Sequence, residues 1–274
     1  MRYLPTPEQA ARLTPEELRT HFLVSGLFVP GEARFEMVDL DRVTLGGVVP
    51  LAQPIALVPP EVFAAKSFTE RREVGILNIG GAGTVTADGT AFPLKKLDMV
   101  YVGRGTRDVS LSSDEATSPA RFFLVSYPAH ADHPTSGITA AQADASELGS
   151  QEKANRRRLA RYIHQGGVKS SQLVMGVTSL REGSVWNTMP PHTHVRRTEI
   201  YLYFDLPADA VVFHMMGAPD STQHLVVRDG EVALSPSWSI HSGCGTSSYT
   251  FCWAMGGENQ EFADMQSFDM SALR

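Results

Sequence analysis

The chain is 274 residues long, 42% apolar and 20% charged, with a formal net charge of −6, the make-up of one large or two small globular domains. No basic run exceeds Arg156-Arg157-Arg158, which argues against a nucleic-acid partner, and no segment approaches the length of a membrane span. The opening MRYLPTPEQA lacks the apolar core of a secretory signal. Cys244 and Cys252 have no CxxC spacing and read as buried strand residues in a reducing compartment, not as a disulfide or a metal pair.

Residues 1–30 read as an N-terminal helical segment. Thr6-Pro7-Glu8 and Thr14-Pro15-Glu16-Glu17 each set a hydroxyl cap before a proline at the first helical position, with acids in the first turn. A short helix from Pro15 to Phe22 is expected to follow. From Gly31 the texture turns to alternating or β-branched runs broken by glycine and proline. Arg34–Val38, Val43–Val49 and Ile55–Val58 read as strands, and residues 31–130 make a β-rich half. Residues 131–165 begin small, polar and alanine-rich and read as a linker with a helix; Lys153, Arg156, Arg157 and Arg161 lie on its helix-like approach to the second half, residues 166–274. There Ser171–Leu180 reads as a strand in which Gln172, Val174 and Gly176 share a face. If that face is inward, Gln172 is a hydrogen-bonding group for whatever the interior binds.

The organising stretch is Asn187–Asp205, NTMPPHTHVRRTEIYLYFD. On an extended chain His192 and His194 point to the same side, and a strand from Glu199 puts Glu199, Tyr201 and Tyr203 on one face. Two imidazoles and a carboxylate suit a divalent transition metal. A fourth ligand is offered downstream, where Gly230 to His241 reads as a strand, a bend marked by Pro236, and a histidine. By ligand chemistry alone the set suits zinc, iron, manganese or nickel equally.

This arrangement resembles the cupin signature, with His192, His194 and Glu199 matching its first motif and Gly230, Pro236 and His241 its second; Trp238 stands where a glycine is usual. A faint internal repeat accompanies it. Glu70-Arg71-Arg72-Glu73 echoes Arg196-Arg197-Thr198-Glu199, and Leu97–Gly105 echoes Leu234–Ser242, which sets Glu73 at the Glu199 position and Arg104 at that of His241. The expected fold is therefore mainly β, a bicupin of two jelly-roll-like barrel halves with short N-terminal and linking helices, in which the first half has lost its metal. Further segments, Glu182–Pro190, Val212–Gly217, Ser235–Gly243 and Met255–Gln260, together with Arg71–Gly81, are similar to those of the 5-dehydro-4-deoxy-D-glucuronate isomerase family. That resemblance implies a cytoplasmic, hexameric ketol-isomerase of pectin and uronate breakdown that converts 5-dehydro-4-deoxy-D-glucuronate to 3-deoxy-D-glycero-2,5-hexodiulosonate. It implies one zinc ion per subunit on His192, His194, Glu199 and His241.

Moving a carbonyl between adjacent carbons needs a group to carry a proton, and Glu199, His214 and Tyr201 are the candidates. The substrate carboxylate calls for a cationic or polar partner, for which Arg196, Arg197, Gln172 and Tyr203 stand out, with Lys153, Arg156, Arg157 and Arg161 as weaker candidates. Two other readings keep the same ligands: a binding or regulatory cupin with a structural metal, and an iron-dependent dioxygenase.

Overall fold

The structure, a computed structural model, describes residues 1–258, 260–261 and 264–274; Asn259, inside the Met255–Gln260 segment, lies outside the described residues. Both helix-start signals become helices, Pro7–Ala10 and Pro15–Phe22. Each begins with a reciprocal capping box: the Glu17 amide donates to Thr14 Oγ1 at 3.3 Å, and the Glu17 carboxylate accepts from the Thr14 amide at 2.8 Å. This satisfies donors that a helix start otherwise leaves unpaired.

The chain divides into two compact units. The first comprises Met1, Gly26–Asp144 and Arg161–Met175; the second comprises Arg2–Ser25, Ala145–Ala160 and Gly176–Arg274. The N-terminal helical segment thus belongs with the C-terminal half. Leu18 and Phe22 bury their side chains in the second unit, where the Phe22 ring meets Trp238 edge-on at 6.2 Å. Residues 161–175 cross the other way.

The linking helix expected within 131–165 is replaced by the strands Ser136–Ile138, Asp144–Leu148 and Arg157–Ile163. The reason lies in sheet pairing, which overrides the helix propensity of an alanine-rich composition. In Arg157–Ile163 the alternate residues Ala160 and Tyr162 are buried, a period of two that the preceding run of arginines disguises.

In the first unit an antiparallel sheet runs Ser136–Ile138, Met99–Val102, Arg72–Asn78, Phe122–Pro128, Thr44–Val48, Ala33–Met37, and a smaller one runs Ile55–Ala56, Val109–Ser113, Gly83–Ala87, Thr90–Leu94. Its core is aliphatic and aromatic, with Val74, Ile76, Val100, Leu111, Phe122 and Leu124 out of reach of solvent. The second unit repeats the plan. Its larger sheet runs Leu23–Val24, Val232–Ser235, Arg197–Phe204, Thr250–Gly257, Val174–Leu180, with Arg157–Ile163 and Asp144–Leu148 beyond. Its smaller sheet runs Trp186–Asn187, Ser242–Gly245, Val212–Ala218, Ser221–Val227. Apart from the edge strand, which comes last along the chain in the first unit (Ser136–Ile138) and first in the second (Leu23–Val24), the corresponding strands follow the same chain order, and the molecule is a duplicated, mainly β protein of the bicupin kind.

Register decides which residues correspond. Val74 faces Val102 in the first unit as Ile200 faces Leu234 in the second, so Glu73 does take the place of Glu199. Arg104, two residues past Val102, corresponds to Pro236 and not to His241. The residue just before the second strand of the smaller sheet, the place His241 holds before Ser242–Gly245, is Asp108 before Val109–Ser113. Short apolar runs align equally well several residues apart; ladder hydrogen bonds do not.

Glu73 has no histidines around it. Its buried carboxylate accepts from Tyr101 Oη at 2.7 Å and from the amides of Ser171, Gln172 and Leu173 at 2.6, 2.8 and 2.8 Å. Gln172, expected beside the metal, is spent here as well: its side-chain amide donates to the Pro128 carbonyl at 2.7 Å. The strand starts only at Val174, so the alternation that would turn Gln172 inward does not reach it.

Candidate metal centre

Three pieces of the second unit meet at one point. His192 lies in the two-residue strand His192–Thr193, which pairs with Gln266–Ser267; Glu199 lies near the start of Arg197–Phe204; and His241 immediately precedes Ser242–Gly245. The Nε2 atoms of His192 and His194 are 3.1 Å apart, and those of His192 and His241 are 3.0 Å apart. Glu199 Oε2 is 3.1 Å from His194 Nε2 and 2.9 Å from His241 Nε2. His194, Glu199 and His241 are buried and His192 is half-buried.

This donor set fits a cation. Ring nitrogens facing one another cannot all be satisfied by sharing protons, and Glu199 Oε2, though surrounded, has no well-aligned hydrogen-bond donor. Ligand bonds of about 2.0–2.2 Å to a common ion put neighbouring donors roughly 3 Å apart, as these are. Burial, reinforced by the facing His241 ring, pushes His192 down to about 3 and keeps its lone pair available. Burial raises the Glu199 carboxyl, but the His241 and His194 rings overcome it and hold the group well below the usual carboxylate range.

Neighbouring groups orient the ligands. Ser235 Oγ is 3.2 Å from His241 Nδ1 and can accept its proton, leaving Nε2 free to ligate. Arg197 is almost fully buried and donates to the Asp264 carboxylate and toward Met255 Sδ. Its Nη2 is also 3.0 Å from His194 Nδ1. A guanidinium has no acceptor, so that contact is a hydrogen bond only with the lone pair on Nδ1. Ligation through a neutral His194 Nε2 needs the other tautomer, for which Asp264 Oδ1 at 3.9 Å is the nearby carboxylate.

His192, His194 and Glu199 form one wall of a cavity of about 330 Å3, whose other walls include Arg157, Leu159, Thr178, Thr188, Tyr201, Phe251, Trp253 and Met255. Gly176 makes room for one of these walls, since a Cβ there would run into the Trp253 ring. The Trp253 indole is fixed by a 3.2 Å hydrogen bond to Thr178. Burial, reinforced by the nearby Glu199 carboxylate, raises the Tyr201 phenol well above the usual value, so it stays protonated.

Of the expected residues, His192, His194, Glu199 and His241 converge and Tyr201 lines the cavity beside them. Tyr203 does share a face with Tyr201, their rings stacked with centroids 6.0 Å apart, but it sits deeper. Its hydroxyl is 2.8 Å from His214 Nδ1, and neither residue lines the cavity. The barrel interior beyond Tyr201 is filled by aromatic side chains, so His214 is sealed off and burial pushes it down to about 3. Neither arginine of the Arg196-Arg197 pair reaches the cavity. Arg196 is exposed and pairs with Glu258 at 3.3 Å, while Arg197 is consumed behind His194. The cationic side chain that does line the cavity is Arg157, half-buried and anchored by a 2.9 Å bond from Nη1 to the Asn155 carbonyl. Its signal in the sequence was the strand alternation with Leu159, hidden by the helical reading of that segment. Both cysteines are free, Cys252 buried and Cys244 partly so.

Among the described residues no helix is long and apolar enough to cross a membrane. The model of the KduI/IolB family matches residues 32–271. The chain is 51% identical to the 4-deoxy-L-threo-5-hexosulose-uronate ketol-isomerase of Opitutus terrae and 47% identical to that of Halalkalibacterium halodurans, in each case over all of this chain and 99% of the other. Its fold is similar to that of an IolB-like protein from Salmonella typhimurium, with a TM-score of 0.75 at 13% identity over 90% of this chain and 96% of that one. A Bacillus subtilis oxalate decarboxylase shares the cupin fold at a TM-score of 0.61 and 11% identity, over 90% and 79% of the two chains. Full-length identity of this order, on a duplicated β fold with a three-histidine, one-glutamate cluster in its second half, makes the chain a member of the KduI/IolB family and an enzyme of the ketol-isomerase class.

Proposed function

We propose that this chain is a zinc-dependent aldose–ketose isomerase that converts 5-dehydro-4-deoxy-D-glucuronate to 3-deoxy-D-glycero-2,5-hexodiulosonate in pectin and uronate degradation. The observation that carries the reading is a cation-type ligand cluster opening onto a cavity that also holds one guanidinium. The site thereby offers partners for both ends of a keto-deoxyuronate. The names of the relatives at 51% and 47% identity support the same substrate, and the family resemblance supports zinc, a homohexamer and a cytoplasmic location.

A divalent cation held by His192, His194, Glu199 and His241 supplies Lewis-acid stabilisation of the negative charge that builds on the carbonyl and hydroxyl oxygens during isomerisation. The protein does the rest. Arg157 offers a fork to the substrate carboxylate and so sets which end of the molecule enters first. Glu199, kept ionised, accepts the proton that leaves carbon and gives it back to the neighbouring carbon, the hydroxyl proton passes to the former carbonyl oxygen, and Tyr201, kept protonated beside Glu199, can donate a hydrogen bond to the oxygen on which charge develops. Phe251, Trp253, Met255 and Leu159 exclude water, which protects an enediolate from stray protonation.

The test is isomerisation of the 4-deoxy-5-keto uronate by protein of known metal content, followed anaerobically and again after chelation. The expected result is turnover without oxygen, lost on chelation and restored by zinc. Turnover that requires oxygen would mark a dioxygenase, and binding of the sugar acid by fully metallated protein without conversion would mark a binding module.

A further inference from the structure

The first unit has lost its metal but holds a cavity of its own, about 420 Å3, within the range of small-molecule sites. Its walls include Arg42, Arg71, Arg72, Arg104 and His130, over an apolar floor to which Phe63 and Phe68 contribute, and no carboxylate side chain lines it. Arg72 is the centre of this arrangement. It is adjacent to Glu73 on the strand and so projects to the opposite face. Its guanidinium donates to Ser126 Oγ at 3.0 Å, to the Ser126 carbonyl at 2.8 Å and to the Arg42 carbonyl at 2.7 Å, and it lies 4.7 Å over the Phe63 ring. All of these partners are uncharged. Burial and the neighbouring Arg42 depress Arg72 to about 10. Among the described residues neither Arg72 nor Arg42 has a carboxylate within ion-pair distance. Arg104 is half satisfied by Asp132 at 2.6 Å, and Arg71 reaches Glu70 only at 3.6 Å.

A largely buried guanidinium without a counter-ion is costly, and two more that face the same space repel it. An anion resolves both problems. We infer that this cavity is a second binding site, separate from the metal centre, for a sugar-sized organic oxyanion. Its carboxylate or phosphate would be taken by Arg72, Arg42 and Arg71, and its carbon skeleton would lie on the Phe63 and Phe68 rings. The argument uses only the first unit and is independent of the reaction assigned to the second.

Calorimetric titration of the metal-loaded protein tests it, with D-galacturonate, glucose 6-phosphate, inorganic phosphate and neutral galactose as probes. The same titrations on His192→Ala remove the contribution of the metal centre. At least one sugar anion is expected to bind His192→Ala as tightly as it binds the unaltered first unit in wild type, while galactose does not bind. Adding Arg42→Gln and Arg71→Gln, both at exposed positions, is expected to weaken that binding at least tenfold with the melting temperature unchanged. Galacturonate binding selects a sugar-acid site, and glucose 6-phosphate binding selects a sugar-phosphate site. Binding that vanishes in His192→Ala, that is indifferent to the two arginine changes, or that is matched by galactose overturns the inference, as does binding of inorganic phosphate alone.

Discussion

Replacing Glu73 by glutamine keeps shape and removes charge, and the cost follows from where the four donors sit. Glu73 Oε1 accepts from two backbone amides, Gln172 and Leu173, and Oε2 accepts from the Ser171 amide and the Tyr101 hydroxyl. The glutamine carbonyl must take the Oε1 position, because an NH2 group there would face two fixed N–H donors. At the Oε2 position the new NH2 can donate to Tyr101, whose hydroxyl rotates, but it leaves the Ser171 amide without a partner. One charge-assisted bond is lost outright, costing about 1.5–3 kcal/mol, and the others weaken to neutral strength, for a total of roughly 3–4 kcal/mol. For a chain of this size that lowers Tm by about 6–16 °C. Tyr101→Phe, which removes one donor and orphans none, should cost roughly 1–2 kcal/mol. Differential scanning calorimetry with metal analysis reads both. Metal content should stay at wild-type level, since Glu73 ligates nothing. A Glu73→Gln protein that melts within about 2 °C of wild type, on the same scale, would refute the view that this carboxylate ties residues 171–173 to the sheet.

His192→Ala and His241→Ala should each lower metal affinity by at least about a hundredfold and abolish turnover while leaving the circular dichroism spectrum intact; full activity in either would remove the metal from the mechanism. Arg157→Ala should act mainly on KM, raising it on the order of a hundredfold, with partial recovery in Arg157→Lys because lysine restores charge but not the fork. Arg197→Leu releases Asp264, the carboxylate near His194 Nδ1, and should weaken metal binding by about 10–100-fold, as read by competition with a chelator, whereas a residue that contacted substrate would raise KM at unchanged metal content. Thr14→Ala removes the second capping box and should cost about 1 kcal/mol, a fall in Tm measurable by calorimetry.

The clustering of His192, His194 and Glu199 was legible because their spacing is itself geometry, and His241 because its motif sets it after a strand and a proline bend. Two residues apart on an extended chain is a shared face, and Glu199 at a strand start is directed by the same alternation. What was not legible depended on pairing partners that lie far off in sequence. Arg157, a weaker candidate on a helix-like run, lines the cavity because that run is a strand, and Gln172 does not because the strand expected at Ser171 starts three residues later. The Arg196-Arg197 pair shows the limit of proximity as evidence. One of the two points to solvent and the other is buried behind His194, paired with Asp264.

The repeat carries a physical lesson of its own. A carboxylate buried at this corner of the barrel needs positive charge or several donors around it, and the two halves meet that need differently. In the second unit three imidazoles surround Glu199 in a form that a cation completes. In the first unit the histidines are gone, yet Glu73 persists, because the segment Ser171–Leu173 turns three amides onto it and Tyr101 adds a hydroxyl. The carboxylate at this position is therefore held without a histidine cluster around it. Three of those donors come from the segment Arg161–Met175, which groups with the first unit. A double replacement, Glu73→Leu with Tyr101→Phe, separates this account from simple packing. It leaves the three amides buried without an acceptor and should be less stable than Glu73→Gln, despite its greater apolarity.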